Sequence, residues 1–420
     1  MLQSKTMNQD NAHTLIGPFA QIVTMAGLPQ AGPIADEALE VLENAGVLVY
    51  AGQIVLVEDY EKLLKIAEEK EYELQKIEEP MVLLPGLIDS HTHICFAGSR
   101  ANDYAMRIAG KSYLEIARSG GGILDSVRKT REANVVELVD LLKKRCDRHL
   151  SEGITTCEVK SGYGLTTDHE LKMLEAIQLV NKHHAIELIP TCLAAHMRPP
   201  EHTDSRAYLE EVVSVLLPQI KERGLANRVD IFIEDTAFNE EESIEYLLAA
   251  KEMGFDITVH ADQFSTGGSR VAAEVGAISA DHLEASSDEE ITLLKDAEVV
   301  ATVLPGASLG LGMHYAPARK MLDGGLCMAI ATDWNPGSAP MGDLLLQAAL
   351  LGAAEKLTSA ETLAAITTRA AKALNLKDRG AVEKGQLADL IAFPTNNFRE
   401  ILYQQGKLKP AKVWKQGEEV

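Results

Sequence analysis

The chain has 420 residues, 46% apolar and 24% charged, with 62 acidic against 40 basic side chains and a formal net charge of −22. That is the make-up of a soluble globular protein too long for one ordinary core. The acidity excludes nucleic acid and anionic membrane surfaces as partners, and it obliges any anionic substrate to find a local arginine.

Five cysteines, Cys95, Cys146, Cys157, Cys192 and Cys327, form an odd set with no metal-ligand or redox spacing. Reduced, buried thiols of a cytoplasmic protein are expected. Residues 1–13 are polar and lack the apolar region of a signal peptide, and no apolar run reaches membrane-spanning length. Residues 1–80 then carry short aliphatic runs. Two of them, 47–50 and 54–57, flank Ala51-Gly52-Gln53, the pattern of a hairpin in a small β-rich domain. A charged stretch, 61–79, leads to Pro85-Gly-Leu-Ile-Asp-Ser-His-Thr-His93. On a strand, alternate side chains share a face, so His91 and His93 project together, roughly 6–7 Å apart along the chain.

From there strand-like runs alternate with amphipathic helices. The strands are expected around 87–91, 154–160, 187–196, 229–234, 256–260, 277–282, 299–304 and 328–333. Val135, Leu138, Val139, Leu142, Cys146 and Leu150 make one helical stripe that Gly153 stops. Gly254 ends the helix through Tyr246 and Leu248. Thr167 with Glu170, Ser287 with Glu290, and Thr358 with Glu361 have capping-box spacing. Eight alternations predict an α/β fold, a (β/α)8 TIM-like barrel over 81–384. Short strands return at Leu390–Phe393 and 411–414. Residues 1–80 and 385–420 are therefore expected to form one small β-sandwich domain, with the barrel inserted between its halves. Gly120 to Gly122 has no Lys-Ser/Thr after it, and it reads as a lid or close-approach loop rather than a phosphate loop.

Several expected strands end in a titratable residue: His91 and His93, His196, His260 with Asp262 and Gln263, Asp281 with His282, and Asp333. In a barrel these carboxyl ends form one ring. Three imidazoles and one carboxylate there suit zinc or divalent iron. The remaining histidines, including His149, His169, His183, His184, His202 and His314, read as surface or structural.

The Pro85–His93 block, a later strand ending in His, Asp281-His282-Leu283, Ala331-Thr332-Asp333 and Gly385-Gln-Leu-Ala-Asp-Leu390 resemble the amidohydrolase superfamily, a metal-dependent hydrolase barrel. Four further segments are similar to its imidazolonepropionase family: Ala97-Gly-Ser-Arg100, Ser119-Gly-Gly-Gly-Ile123, Glu158-Val-Lys-Ser-Gly-Tyr-Gly-Leu165 and Asp333-Trp-Asn-Pro-Gly-Ser338. The similarity runs from about 81 to 395. It implies one divalent metal per chain, Zn2+ or Fe2+, on His91, His93, His260 and Asp333. It implies catalytic roles for Asp333, His282 and Gln263. It implies a substrate pocket lined by Arg100, Tyr163, His196, Gln263, Asn335, Gly337 and Ser338. Gln263 stands where members often carry a carboxylate, and Trp334 where they carry Phe; a glutamine cannot act as a base but can donate and accept hydrogen bonds.

The reaction so implied opens the cyclic amide of 4-imidazolone-5-propanoate to N-formimino-L-glutamate, in histidine degradation. The partner is a small anionic imidazolone, and a homodimer is the expected assembly. Arg100 suits the propionate through a two-pronged contact, and Tyr163 can add a hydroxyl donor. The alternatives are another cyclic amidase or nucleobase deaminase of the superfamily, or a non-catalytic scaffold on the same barrel. Arg100 and Tyr163 separate the first, since a neutral base needs no carboxylate clamp. Retention of all four metal ligands separates the second.

Overall fold

The computed structural model describes residues 13–420, so the polar opening stretch before His13 lies outside the described residues. The first strands are β1 (Thr14–Val23), β2 (Val41–Tyr50), β3 (Gln53–Asp59), β4 (Glu73–Lys76) and β5 (Val82–Pro85). β2 and β3 form the expected hairpin on a two-residue loop. Ala51 and Gly52 have φ of 47° and 77°, and Gln53 already pairs with Tyr50. Positive φ at both central residues matches the twist of the flanking strands.

The chain changes sheets at Gly86. Its N–H donates to Asp389 O at 2.8 Å, the next N–H donates to Gly153 O at 2.9 Å, and a methyl at Gly86 would overlap the Thr155 side chain. Beyond it run β6 (Leu87–Asp89), β7 (Ile154–Lys160), β8 (Glu187–Ala195), β9 (Arg228–Ile231), β10 (Asp256–Ala261), β11 (Ser279–His282), β12 (Val300–Val303) and β13 (Met328–Ile330). They pair in sequence order, all parallel. Closure comes just past the ends of the first and last. Thr92 bridges Trp334, Asp333 N donates to His91 O, and His93 N donates to Trp334 O, both at 3.0 Å. The regular ladder ends sooner than the sequence suggests at β6, β9 and β13, and at β6 and β13 side chains take over. Asp89 accepts from Thr332 N (3.0 Å) and Thr332 Oγ1 (2.6 Å), and Glu158 accepts from Thr92 N (3.2 Å). His91 and His93 thus lie in extended chain after β6, not within it.

β14 (Leu390–Phe393), β15 (Lys412–Lys415) and β16 (Glu418–Glu419) return to the first sheet. β14 lies against β5, which lies against β1. The β-unit expected from the two termini is therefore a single hydrogen-bonded mixed sheet of eight strands, and β5 is the seam between its halves.

The helix Val135–Ser151 buries Leu138, Leu142, Cys146 and His149, and Gly153 after it has φ of 89°. Capping boxes form at Ser287–Glu290 and Thr358–Glu361, and also at Asn134–Glu137 and Asn239–Glu242. The Thr167–Glu170 box does not form. The helix Thr167–His183 starts from Thr166, and Glu170 turns away to accept from backbone N–H groups of the preceding loop. All five cysteines are buried and free. No helix among the described residues is long and apolar enough to cross a membrane.

Candidate active site

The barrel's carboxyl mouth gathers four donors from three places in the sequence. His91 Nε2 and His260 Nε2 each lie 3.2 Å from His93 Nε2. Asp333 Oδ1 lies 3.6 Å from His91 Nε2 and 3.4 Å from His93 Nε2. Atoms bound about 2.0–2.2 Å from one centre in tetrahedral array stand roughly 3.3–3.6 Å apart, so the spacing fits a small divalent ion. The chemistry of the donors fits as well. His91 Nδ1–H donates to Asp281 Oδ2 at 2.6 Å, and His260 Nδ1 lies 2.8 Å from Asp230 Oδ2. A carboxylate at Nδ1 fixes the proton there and leaves the Nε2 lone pair facing inward. Burial, with Lys160 for His91 and His196 for His93, holds both rings well below the usual imidazole range. They are neutral, as ligands must be.

Beneath the donors lies a buried ionic layer. Lys160 Nζ sits 2.7 Å from Glu158 Oε1, 2.8 Å from Asp230 Oδ2 and 3.9 Å from Asp281 Oδ2, all fully or almost fully buried. Burial opposes its charge, but Asp230 and Glu158 outweigh that and raise its pKa. These groups come from β7, β9 and β11, the alternate strands that share an interior layer in such barrels. Thr258 Oγ1 also donates to Asp281 Oδ2, at 3.2 Å.

Around the rim, His282 lies with its ring 5.3 Å from that of His260, and its Nδ1 is 3.5 Å from Glu284 Oε2. Burial lowers the His282 pKa, but Glu284 prevails and raises it. The ligating nitrogens of His91, His260 and His282 all fall within 4.8 Å of one another, so His282 borders the same centre. Burial pushes the Asp333 carboxyl up to about 7. Asn335 Nδ2 donates to Asp333 Oδ2 (2.9 Å) and Ser338 Oγ (2.8 Å), while Asn335 Oδ1 accepts from the N–H groups of Gly337 (2.7 Å) and Ser338 (2.8 Å). Asn335 thereby ties its whole loop to Asp333. A methyl at Gly337 would overlap Arg100 Nη1, so the Arg100 guanidinium packs closely against this loop. Arg100 Nε donates to Asp103 Oδ2 at 2.8 Å, and Gly122 N donates to the same oxygen at 2.8 Å. The glycine run 120–122 is thus a close-approach loop around Asp103. The His196 ring stacks at 5.2 Å on His93, and the Tyr163 ring is 5.5 Å from His196. Gln263 is buried directly after Asp262.

His149 is not on the surface: it is buried, 3.3 Å from Asp89 Oδ2, with its ring edge-on to Trp334. Asp230, Lys160, Asp103 and Glu284 escape a reading of the sequence alone. Lys160 stood in view inside Glu158–Leu165, and Asp281 beside His282, but neither carries a local signal of its cross-barrel partners. Non-glycine residues with left-handed backbone at the mouth include Leu165 (φ 57°), Asp262 (52°), His282 (87°), Leu283 (71°) and Asp333 (50°). Such strain concentrates at functional sites.

The chain matches the amidohydrolase family over residues 82–420. It is 40% identical to imidazolonepropionase of Fusobacterium nucleatum over 402 residues, covering 95% of this chain and 96% of that protein. It is likewise 40% identical to imidazolonepropionase of Bacillus mycoides over 411 residues, 96% of each. Among solved structures, an adenosine deaminase from Xanthomonas campestris with bound zinc superposes with a TM-score of 0.70 at 18% identity, covering 97% of this chain and 92% of the other. A zinc complex of atrazine chlorohydrolase from Arthrobacter aurescens also gives 0.70 at 18% identity, covering 97% and 94%. At such identities these two establish the fold alone.

Proposed function

Since the chain belongs to the imidazolonepropionase family of amidohydrolases, we propose that the barrel mouth hydrolyses the cyclic amide of 4-imidazolone-5-propanoate to N-formimino-L-glutamate, the ring-opening step of histidine degradation. His91, His93, His260 and Asp333 would hold one divalent ion, zinc or ferrous iron. When bound, the ion supplies Lewis acidity and brings the ionisation of water to near-neutral pH.

The remaining work falls to side chains. Asp333 takes a proton from the attacking water and passes it to the ring nitrogen as the carbon–nitrogen bond breaks; the water oxygen stays on the carbonyl carbon. A carboxylate can accept a proton and return it, as both transfers require. Asn335 Nδ2, 2.9 Å from Asp333 Oδ2, keeps that carboxylate aimed. His282, whose protonated form Glu284 favours, donates to the carbonyl oxygen as negative charge builds there. One such donor lowers the barrier by roughly 3–4 kcal/mol. Arg100 receives the propionate. Its Nε is engaged by Asp103, which leaves the paired Nη groups for the ligand. Tyr163, His196, Gln263, Gly337 and Ser338 complete the pocket around the ring, with Gln263 as a hydrogen-bonding group rather than a base.

The observation that supports this reading is the set of four buried donors, with His93 Nε2 3.2 Å from the Nε2 atoms of both His91 and His260 and Asp333 Oδ1 3.4–3.6 Å from His93 and His91, on the same rim as a braced arginine. The test is to load the purified protein with zinc or ferrous iron, add fresh imidazolone propionate, and follow its ultraviolet absorbance. A metal-dependent loss is expected, and Arg100→Lys is expected to raise KM at least tenfold. No metal-dependent loss, or unchanged kinetics in Arg100→Lys, would count against the proposal.

A further inference from the structure

Glu170 is a buried carboxylate for which the reaction has no use. It is 0% exposed, and it takes part in none of the ion pairs among the described residues. In place of a cation it has backbone. Its Oε2 accepts from Gly162 N at 3.0 Å, and its Oε1 accepts from Gly164 N and Leu165 N, both at 2.7 Å. Three N–H groups converging on one carboxylate replace the hydration a buried charge loses. Burial still pushes its pKa up, against the pull of the Ser161 hydroxyl and these amides.

The loop so gathered, 161–165, carries Tyr163 at its centre. Both flanking glycines are required by its course. Gly162 has φ of 104°, and a methyl there would stand 2.9 Å from Leu193 O and 3.0 Å from His196 Nδ1; one at Gly164 would stand 2.6 Å from Glu170 N. On its other side the loop reaches a second pocket residue, because His196 Nδ1–H donates to Gly162 O at 3.0 Å. One carboxylate therefore fixes the backbone that presents Tyr163 and orients His196, without itself facing the pocket.

We propose that Glu170 is a positioning residue for substrate recognition: it holds loop 161–165 so that the Tyr163 hydroxyl and the His196 ring are set for the anionic ring substrate. The inference rests on the activity proposed above. Glu170→Gln is nearly isosteric, but it turns an acceptor oxygen into an NH2 group against one of the loop amides. In metal-loaded protein it is expected to raise KM for imidazolone propionate about tenfold, with kcat within about twofold and metal content unchanged. Combined with Tyr163→Phe, it is expected to raise KM by less than the product of the two single effects, because both act in part through the Tyr163 hydroxyl. Gly162→Ala disturbs the loop from the opposite side and is expected to give the same KM-weighted loss, so it carries the test if Glu170→Gln does not fold. Hydrogen exchange without substrate supplies an independent reading: amides of 162, 164 and 165 should lose protection in Glu170→Gln while the barrel strands keep theirs. That arm separates failure of this inference from failure of the proposed activity. Wild-type KM with wild-type protection of the loop, or a loss confined to kcat or to metal content, overturns it.

Discussion

Asp281 and Asp230 touch no substrate, yet they decide which face of two imidazoles is bare. Each sits 2.6–2.8 Å from the Nδ1 of a histidine whose Nε2 points into the quartet. Asp281→Asn keeps the shape and removes the charge that holds the His91 proton. Zinc affinity, measured by competition with a chromophoric chelator, is expected to fall about 10–100-fold; an unchanged affinity would show that the tautomer is set elsewhere. The quartet was legible because each member stands at the end of an apolar run, and His-x-His is a local pattern. Asp230 and Lys160 were not. A buried lysine two residues from a glutamate reads as a solvated pair until β7, β9 and β11 are closed on one another and three carboxylates surround a single ammonium. Asp103 was hidden in the same way, since nothing in a helical Ala-Asn-Asp-Tyr segment announces that it braces an arginine.

The order of elements and the sense of the barrel followed from alternation alone, and most of the strands lie within two or three residues of where periodicity puts them. Two departures share one cause: past β6 and β13, Asp89 and Glu158 side chains take backbone N–H groups that a regular ladder would pair, and the backbone turns left-handed at Asp333. Capping boxes show the same competition in miniature. At Thr358 the hydroxyl accepts from Glu361 N at 3.0 Å and the Glu361 carboxylate returns to Thr358 N at 2.8 Å. At Thr167 the sequence spacing is identical, but three unpaired loop amides outbid the helix start for Glu170. Thr358→Ala is expected to cost about 1–2 kcal/mol in urea unfolding, the upper part of that range because the hydroxyl also donates to Ile34 O at 2.7 Å. A cost below a few tenths would mean that this box is ornamental.

The barrel and the terminal sheet are joined by charge as well as by Gly86. Glu187, which opens β8, accepts from Arg379 Nη1 at 2.7 Å and from Lys415 Nζ at 3.2 Å; Lys415 belongs to β15 and also pairs with Asp389. Burial raises the Glu187 pKa, but Arg379 and Lys415 outweigh it, and the folded value lies below the ordinary 4.5. A depressed carboxyl contributes stability above its unfolded pKa and loses that contribution as pH falls through its folded one. Stability measured by urea unfolding should therefore drop less steeply below pH 4.5 in Glu187→Gln than in the parent chain. Parallel pH profiles would exclude this junction from the acid response. The most direct test of the whole account is anomalous diffraction from a crystal of zinc-loaded protein. The prediction is one peak per chain, about 2.0–2.2 Å from the Nε2 atoms of His91, His93 and His260 and from Asp333 Oδ1. A peak bound by other side chains, or none at the barrel mouth, would contradict it.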